Sequence, residues 1–476
     1  MTLCHAASSL AAAPIPVLQS TSYATFLAGK RQLAGDFGFK PLWIPDWLFD
    51  FQKFLVEWNI RKGRSETMAD CGLGKTPMQL VWAQNVVQHT NKPVLVMTPL
   101  AVAAQTLGEA EKFGIEAAVS RDGSLTSKIV ITNYERLHHF NPADFVGAVC
   151  DESQCLKAFD GKRRKFVTRF MAKMQYRLLC TATPSPNDFI ELGTQAEALG
   201  VMTQSDMLGY FFVAKNSMRH SALKEDDFWN TLQWYFKPHA EKAFWRWVGS
   251  WARACAKPED LGFDGSRFKL PPLNYRHHVI DVPFIPPGEL YPRPAVSLHE
   301  ARLERHRTLQ QRCEKVASLV NHGRQVIVWC HWNDEGDTLT DMIPGAVQVA
   351  GGDRDEDKES RLLDFARGNF RVLVTKPKIG CWGLNLQKCG DMTFFPSFSF
   401  EQFYQGVRRC WRFGREGEVN VEIVSSTGEA GVMARLQAKQ ANYEHMFQQL
   451  VRCMGDELVM TSHDNHNSPV QAPAWQ

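Results

Sequence analysis

Short runs of consecutive apolar, β-branched residues recur along the chain, separated by longer stretches in which apolar positions return every three or four residues. The runs VLVM (94–97), IVIT (129–132), AVCD (148–151) and LLCT (178–181) read as strands buried on both faces, with helices between them. A second series follows: VIVWC (326–330), VQVA (347–350), VLVT (372–375), MTFF (392–395) and VEIV (421–424). Such alternation predicts parallel βαβ units, so the expected fold class is α/β with two lobes in tandem.

The stretch 200–265 between the two series differs in character. It carries Trp229, Trp234, Trp245, Trp247 and Trp251, and Phe244, Trp247, Val248, Trp251 and Cys255 share one face at helical spacing. Two readings stand: a helical arm that buries its own aromatics, or a stacking platform for nucleic acid. The proline-rich stretch 270–294 reads as a stiff linker into the second lobe. The polar tail after Gly455 holds His463 and His466, read as solvated.

Composition narrows this picture only slightly. With 476 residues, 44% hydrophobic and 22% charged, the chain has material for two or three full cores and is neither fibrous nor disordered overall. The net charge of +3 is an average over segregated patches: seven basic residues from Lys162 to Arg177 have no acid between them, while acids crowd at 353–359. A polyanionic partner is therefore compatible with near-neutrality. The 12 cysteines are scattered without a CxxC pair, which suits a reducing cytoplasm, and Cys150 and Cys155 read as buried thiols. No apolar run approaches the roughly 20 residues needed to span a bilayer, and the first residues lack the basic start of a signal peptide.

Three segments carry chemistry. Ala69-Asp-Cys-Gly-Leu-Gly-Lys-Thr76 lies between a short strand candidate and the helical stretch Pro77 to Val87. A glycine-rich turn there aims backbone N–H groups at a phosphate chain, Lys75 neutralises its oxygens and Thr76 offers a hydroxyl to Mg²⁺. Val149-Cys-Asp-Glu-Ser-Gln154 ends a strand in paired carboxylates: Asp151 is placed to hold magnesium through its water shell, Glu152 to polarise an attacking water. In the second lobe, Gln405-Gly-Val-Arg-Arg-Cys-Trp-Arg-Phe-Gly414 sets Arg409 and Arg412 three apart, on one face if helical. Two guanidinium groups reaching a triphosphate held by the other lobe are worth about 10³–10⁵ in rate in comparable systems; the plainer alternative is a surface basic patch. The stretch His299–His306 is not a zinc motif, its histidines being seven apart; it reads as part of a charged amphipathic helix ending near Gly323. The acidic run 353–357 reads as a solvated loop.

In order and spacing, these segments resemble the superfamily-two helicases and translocases, most closely the Swi/Snf-like, DEAD/DEAH-box-related branch, over most of the chain from about Leu48 to Gly414. A compact prokaryotic or phage member is the closest likeness. The resemblance implies two RecA-like lobes with the Trp-rich insertion between them: a disordered leader (1–35), lobe 1 with ATP binding and motifs Q to III (36–198), the insertion (199–268), lobe 2 with motifs IV to VI (269–455) and a disordered tail (456–476). It implies adenine contact by Gln52 and nucleotide binding by Gly72, Gly74, Lys75, Thr76 and Gly383, the last within the GxNL-like Gly383-Leu-Asn-Leu386. Lys75, Asp151, Glu152, Gln405, Arg409 and Arg412 take the catalytic positions, and Thr76 and Asp151 the Mg²⁺ positions. Thr98, Pro99, Asn133, Tyr134, Lys157 and Thr375 match positions that touch nucleic acid. Thr181 and Thr183 of the TATP segment, followed by Asn187, Glu191 and Leu192, couple hydrolysis to lobe movement together with Gln154, which stands where the family has histidine and can bridge the lobes by hydrogen bonding. Ala182 replaces a family glycine, and Phe395-Pro396 stands where an acidic residue is usual.

The activity so implied is an ATP-dependent DNA helicase or translocase with ATP and Mg²⁺, working in the cytoplasm, that of a bacterial host if phage-encoded. RNA as the polymer, and a non-catalytic nucleic-acid-binding protein on a decayed motor, remain the alternatives. The expectation is a monomer with no membrane partner. A nuclease, methyltransferase or replication and recombination protein is an open partner, since no nuclease or methyltransferase motif is evident in the chain.

Overall fold

The computed structural model describes residues 35–99, 102–156, 161–185, 188–216, 232–283, 285, 290–291, 293–295, 298–380 and 386–463. Helix α1 (Asp50–Lys62) ends at Gly63, whose φ of 72° closes the helix, and leads straight into β1 (Arg64–Ala69). β1 is buried along most of its length although its sequence, RSETMA, is polar. Its polar groups find partners inside the lobe: Asn59 of α1 donates to Thr67 (2.8 Å) and accepts from Ser65 (2.8 Å), and Ser153 donates to Glu66 (2.7 Å). This satisfaction lets a polar segment serve as an inner strand.

From β1 the chain enters α2 (Lys75–Thr90), then β2 (Val94–Thr98), β3 (Ala118–Val119), β4 (Ile129–Asn133), β5 (Gly147–Asp151) and β6 (Tyr176–Thr181). The hairpin β7 (Phe212–Asn216) and β8 (Leu232–Phe236) is antiparallel, and β9 (Ala252–Cys255) returns to the first sheet. That sheet runs β3-β4-β2-β5-β6-β1-β9, with every pair parallel. The second comprises β10 (Leu273–Ile280), β11 (Val326–Trp329), β12 (Ala346–Val349), β13 (Val372–Thr375), β14 (Asp391–Phe394) and β15 (Val419–Ser426), in the order β10-β15-β14-β11-β13-β12, again parallel throughout. The molecule is thus α/β, two tandem RecA-like lobes, each a helix-covered parallel sheet. Helix α3 (Phe400–Cys410) follows β14, and α4 (Ala430–His463) runs from the end of the second lobe back across the first.

All nine apolar runs read from the sequence lie in strands. The Trp-rich segment departs from a purely helical arm: besides helices Gln204–Phe211 and Ala240–Gly249 it contributes the hairpin, and β9 pairs with β1. Phe244, Trp245, Trp247 and Trp251 are buried. Phe244 and Trp247 sit edge-on or tilted to Phe211 and to one another, and Trp247 meets Trp251 edge-on (5.4 Å), which matches the self-burying reading and not a stacking platform. Trp229 lies outside the described residues.

The proline-rich linker is shorter than its composition suggests. Residues 273–280 form β10, in register with β15, so a strand interrupts the stretch read as linker. The charged helix before β11 is two helices, Leu298–Arg307 and Leu309–Leu319, meeting at Thr308, whose hydroxyl donates back to the Glu304 carbonyl (2.8 Å). Much of its charge is internal: Arg312 pairs with Glu335 (3.0 Å), both fully buried, and Arg305 with Glu429 (2.9 Å). In the acidic run, Arg354 pairs with Asp357 at the solvent-facing start of a helix.

Candidate active site

Because every strand of the first sheet is parallel, the ends of β1, β5 and β6 open on one edge, and β5, β6 and β1 are neighbours. The glycine-rich loop follows β1, the paired carboxylates follow β5, and the TATP segment follows β6. Sheet topology therefore brings together three motifs that lie up to about a hundred residues apart.

In the loop, Gly72 and Gly74 adopt φ of 89° and 76°, a left-handed conformation that glycine takes without steric cost. A Cβ on Gly74 would lie 2.4 Å from Gln52 Nε2. That nitrogen donates to the Leu73 carbonyl (2.9 Å), while Gln52 Oε1 accepts from the Phe49 N–H (3.1 Å). Gln52, expected to contact adenine, thus braces the loop from α1. Lys75 and Thr76 begin α2, both half-buried, and Lys75 Nζ donates to the Ala69 carbonyl (2.8 Å).

Asp151 accepts from Gln79 Nε2 of α2 (2.6 Å). Burial, and after it the neighbouring Glu152, push the Asp151 carboxyl up to about 6, against the pull of Gln79 and Lys75. Glu152 has φ of 54°, costly for a residue with a Cβ and of the kind held at working sites. Gln154 Nε2 donates to Glu152 Oε2 (2.9 Å), and Gln154 Oε1 accepts from Thr181, whose hydroxyl oxygen also takes the Thr183 N–H (3.0 Å). Gln154 therefore links the acidic turn to the TATP segment inside the first lobe, rather than bridging the lobes as expected.

The second lobe meets this edge through α3 and the residues after it. Trp411 leaves helical geometry (φ −82°, ψ 85°), so Arg409 lies in the last turn and Arg412 beyond it; they do not share a helix face. Arg412 Nε instead caps the helix at the Arg408 carbonyl (2.9 Å), and burial, then Arg409, lower its guanidinium to about 10. Gln405 and Arg409 are buried in α3. Phe413 comes within 3.1 Å of where a Gly72 Cβ would stand. Arg408, which the sequence pattern left without a role, pairs with Asp70 of the loop (2.8 Å).

The residues expected on nucleic acid are placed differently. Thr98, Asn133, Tyr134 and Thr375 are buried, and their side chains bond within the chain: Thr98 to the Thr132 carbonyl, Asn133 to that of Pro99, Tyr134 to that of Asp151 (2.5 Å) and Thr375 to that of Val349. Pro99 is half-buried. Lys157, Asn187 and Gly383 lie outside the described residues. On the basic helix Lys162–Met171 and the turn after it, Arg163, Lys165, Arg169 and Lys173 are exposed, whereas Arg164 is buried against Glu197 and Arg177 against backbone carbonyls. Among the described residues no helix is long and apolar enough to cross a membrane, and no group of three or more His, Cys, Asp or Glu side chains is placed to hold a metal ion.

Between the lobes lies a cavity of 730 Å³ beside Asp70 and Arg408, walled by Phe268, Tyr275, Trp411 and Tyr443. Among solved structures, the chain is similar to the SWI2/SNF2 ATPase core of Sulfolobus solfataricus in complex with dsDNA, with a TM-score of 0.40 and 14% identity, over 87% of this chain and 98% of that one. No protein-family model and no curated protein matches the chain.

Proposed function

We propose that the chain is a nucleic-acid-stimulated ATPase of the superfamily-two, Swi/Snf-like kind, and that it translocates on DNA. One observation carries the reading: the glycine-rich loop, the strained acidic turn and the arginine-bearing end of α3 converge from two lobes on one sheet edge. In this reading the N–H groups of residues 72–76 and Lys75 hold the phosphates of ATP, with Thr76 and Asp151 on the Mg²⁺ that accompanies it. The residues suit that group: both glycines of the loop take the left-handed φ that such a turn requires, and the Lys75 charge works against the rise that burial imposes on the Asp151 carboxyl. Gln154 holds one oxygen of Glu152 and leaves the other to take a proton from the attacking water. Arg409 and Arg412 stabilise the charge that develops on the transferred group. The exposed Lys165 and Arg169, four apart on the basic helix, and Lys173 four further on are spaced to meet a phosphate backbone, while Arg163 pairs with Glu135 (2.8 Å). The choice of DNA rests on the resemblance of the motifs to duplex-DNA translocases.

Lys75→Ala and Glu152→Gln each abolish ATP hydrolysis while circular dichroism stays that of the parent; hydrolysis at the parental rate in either variant sinks the site assignment. Phosphate release measured against single-stranded, duplex, forked and four-way-junction DNA and against RNA, at one stated salt concentration, tests the polymer. Stimulation by RNA in preference to every DNA overturns that part.

A further inference from the structure

Arg408 is fully buried, and its Nη2 donates both to Asp70 Oδ2 (2.8 Å) and to the Cys71 carbonyl (2.7 Å). The other Asp70 oxygen accepts from the Tyr404 hydroxyl (2.6 Å) and from the Cys71 N–H (2.6 Å). Tyr404 and Arg408 are four apart on α3, so one helix face supplies both groups. The Trp411 and Phe413 rings flank the guanidinium at 4.8 and 5.7 Å. Its Nε and Nη1 have no hydrogen-bond partner among the described residues, so Asp70 and the Cys71 carbonyl are what compensate its charge.

The anchoring of the loop is accordingly divided. Its second half is held from within the first lobe, where Gln52 takes the Leu73 carbonyl. In its first half the Asp70 N–H is tied to the Cys255 carbonyl of β9 (3.0 Å), while the Asp70 carboxylate and the Cys71 carbonyl are held by α3 of the second lobe. The peptide that the second lobe grips is the one entering Gly72, whose left-handed φ sets the direction of the following N–H groups.

We propose that Arg408 is a positioning residue for nucleotide binding: through Asp70 and the Cys71 carbonyl it fixes the entry to the phosphate loop, so that the loop is set for a nucleoside triphosphate only while the second lobe is docked. The inference rests on the ATPase reading above. It assigns affinity to Arg408 and leaves turnover to Arg409 and Arg412, a division that the motif pattern does not contain.

The test uses the full chain with Asp70→Asn, Arg408→Met and the double variant D70N/R408M, which removes both buried charges together so that neither is stranded. A fluorescent ATP analogue reports the dissociation constant, and steady-state hydrolysis at saturating nucleic acid separates KM from kcat. The double variant keeps the parental circular dichroism and melting profile, its Kd and KM rise by about fivefold or more, and kcat stays within that factor. The two single effects do not add in the double variant, because both break one contact. A folded double variant whose Kd rises by less than about fivefold overturns the inference, as does a fall in kcat with unchanged Kd, or a double variant that does not fold. Failure of the parent chain to bind the analogue overturns the ATPase reading instead.

Discussion

Glu66 is a carboxyl group on an inner strand, with one oxygen bonded to Ser153 and the other without a partner among the described residues. Burial raises it from 4.5 to about 8, against the opposing pull of the Ser153 hydroxyl. Between those two values the folded chain keeps a proton that the unfolded chain has released. Stability is therefore fully present below about 4.5 and falls as pH rises to about 8, by about 1.4 kcal/mol per pH unit for this one group. Glu66→Gln removes the dependence, so its melting temperature relative to the parent climbs from pH 5 to pH 8 and is level above; parallel curves for the two proteins would refute the assignment. Lys75, Asp151 and Glu152 could be picked out as candidates from the sequence because phosphate chemistry asks for particular residue types in a glycine-rich turn and at a strand end, and the structure sets those segments on one sheet edge. Tyr134 and Thr375 were expected on nucleic acid, but their hydroxyls serve backbone carbonyls, and motif position does not tell which way a side chain turns.

At the level of elements, the strands legible as runs in the sequence were the continuous apolar ones, β1 was read only as a short strand candidate before the glycine-rich loop, and β10 was missed. β1 needs Asn59 and Ser153 to bury its hydroxyls and carboxyl, partners that local pattern does not reveal. β10 is an edge strand with several exposed side chains, and the prolines on both sides hide it. The Trp-rich segment was ambiguous because a helical aromatic stripe serves a core and a binding surface equally well. Its burial decides what a substitution does. Trp247→Ala leaves a large void among Phe211, Phe244 and Trp251 and lowers unfolding free energy by about 3–5 kcal/mol in urea titration. Affinity of the folded variant for DNA stays at the parental level; a loss of affinity larger than the loss of folded protein would restore the stacking-platform reading.

Across the whole molecule, the lobes are not independent bodies joined by a linker. One apolar cluster runs from Leu48 through both sheets to Met454. Its bridge is α4, which leaves β15 in the second lobe and packs on β9 and on helix Ala240–Gly249 of the first. Tyr443 stands at the crossing: its hydroxyl donates to the Ala182 carbonyl of the TATP segment (2.8 Å), and its ring meets Tyr404 of α3 at 5.1 Å. Further along, Met454 Sδ accepts the Ala254 N–H of β9. Separating the lobes as rigid units would expose this apolar seam and break the Arg408–Asp70 pair, so the two sheets unfold together. The parent chain therefore shows a single calorimetric transition. Tyr443→Ala, which deletes the hydrogen bond and the ring at the crossing, lowers its midpoint and splits it into two, with the earlier transition enlarged by urea. Two transitions already present in the parent chain would mean that α4 does not couple the lobes. An unsplit transition in Tyr443→Ala would place the coupling in the Arg408–Asp70 contact, and D70N/R408M scanned in the same way then separates the two.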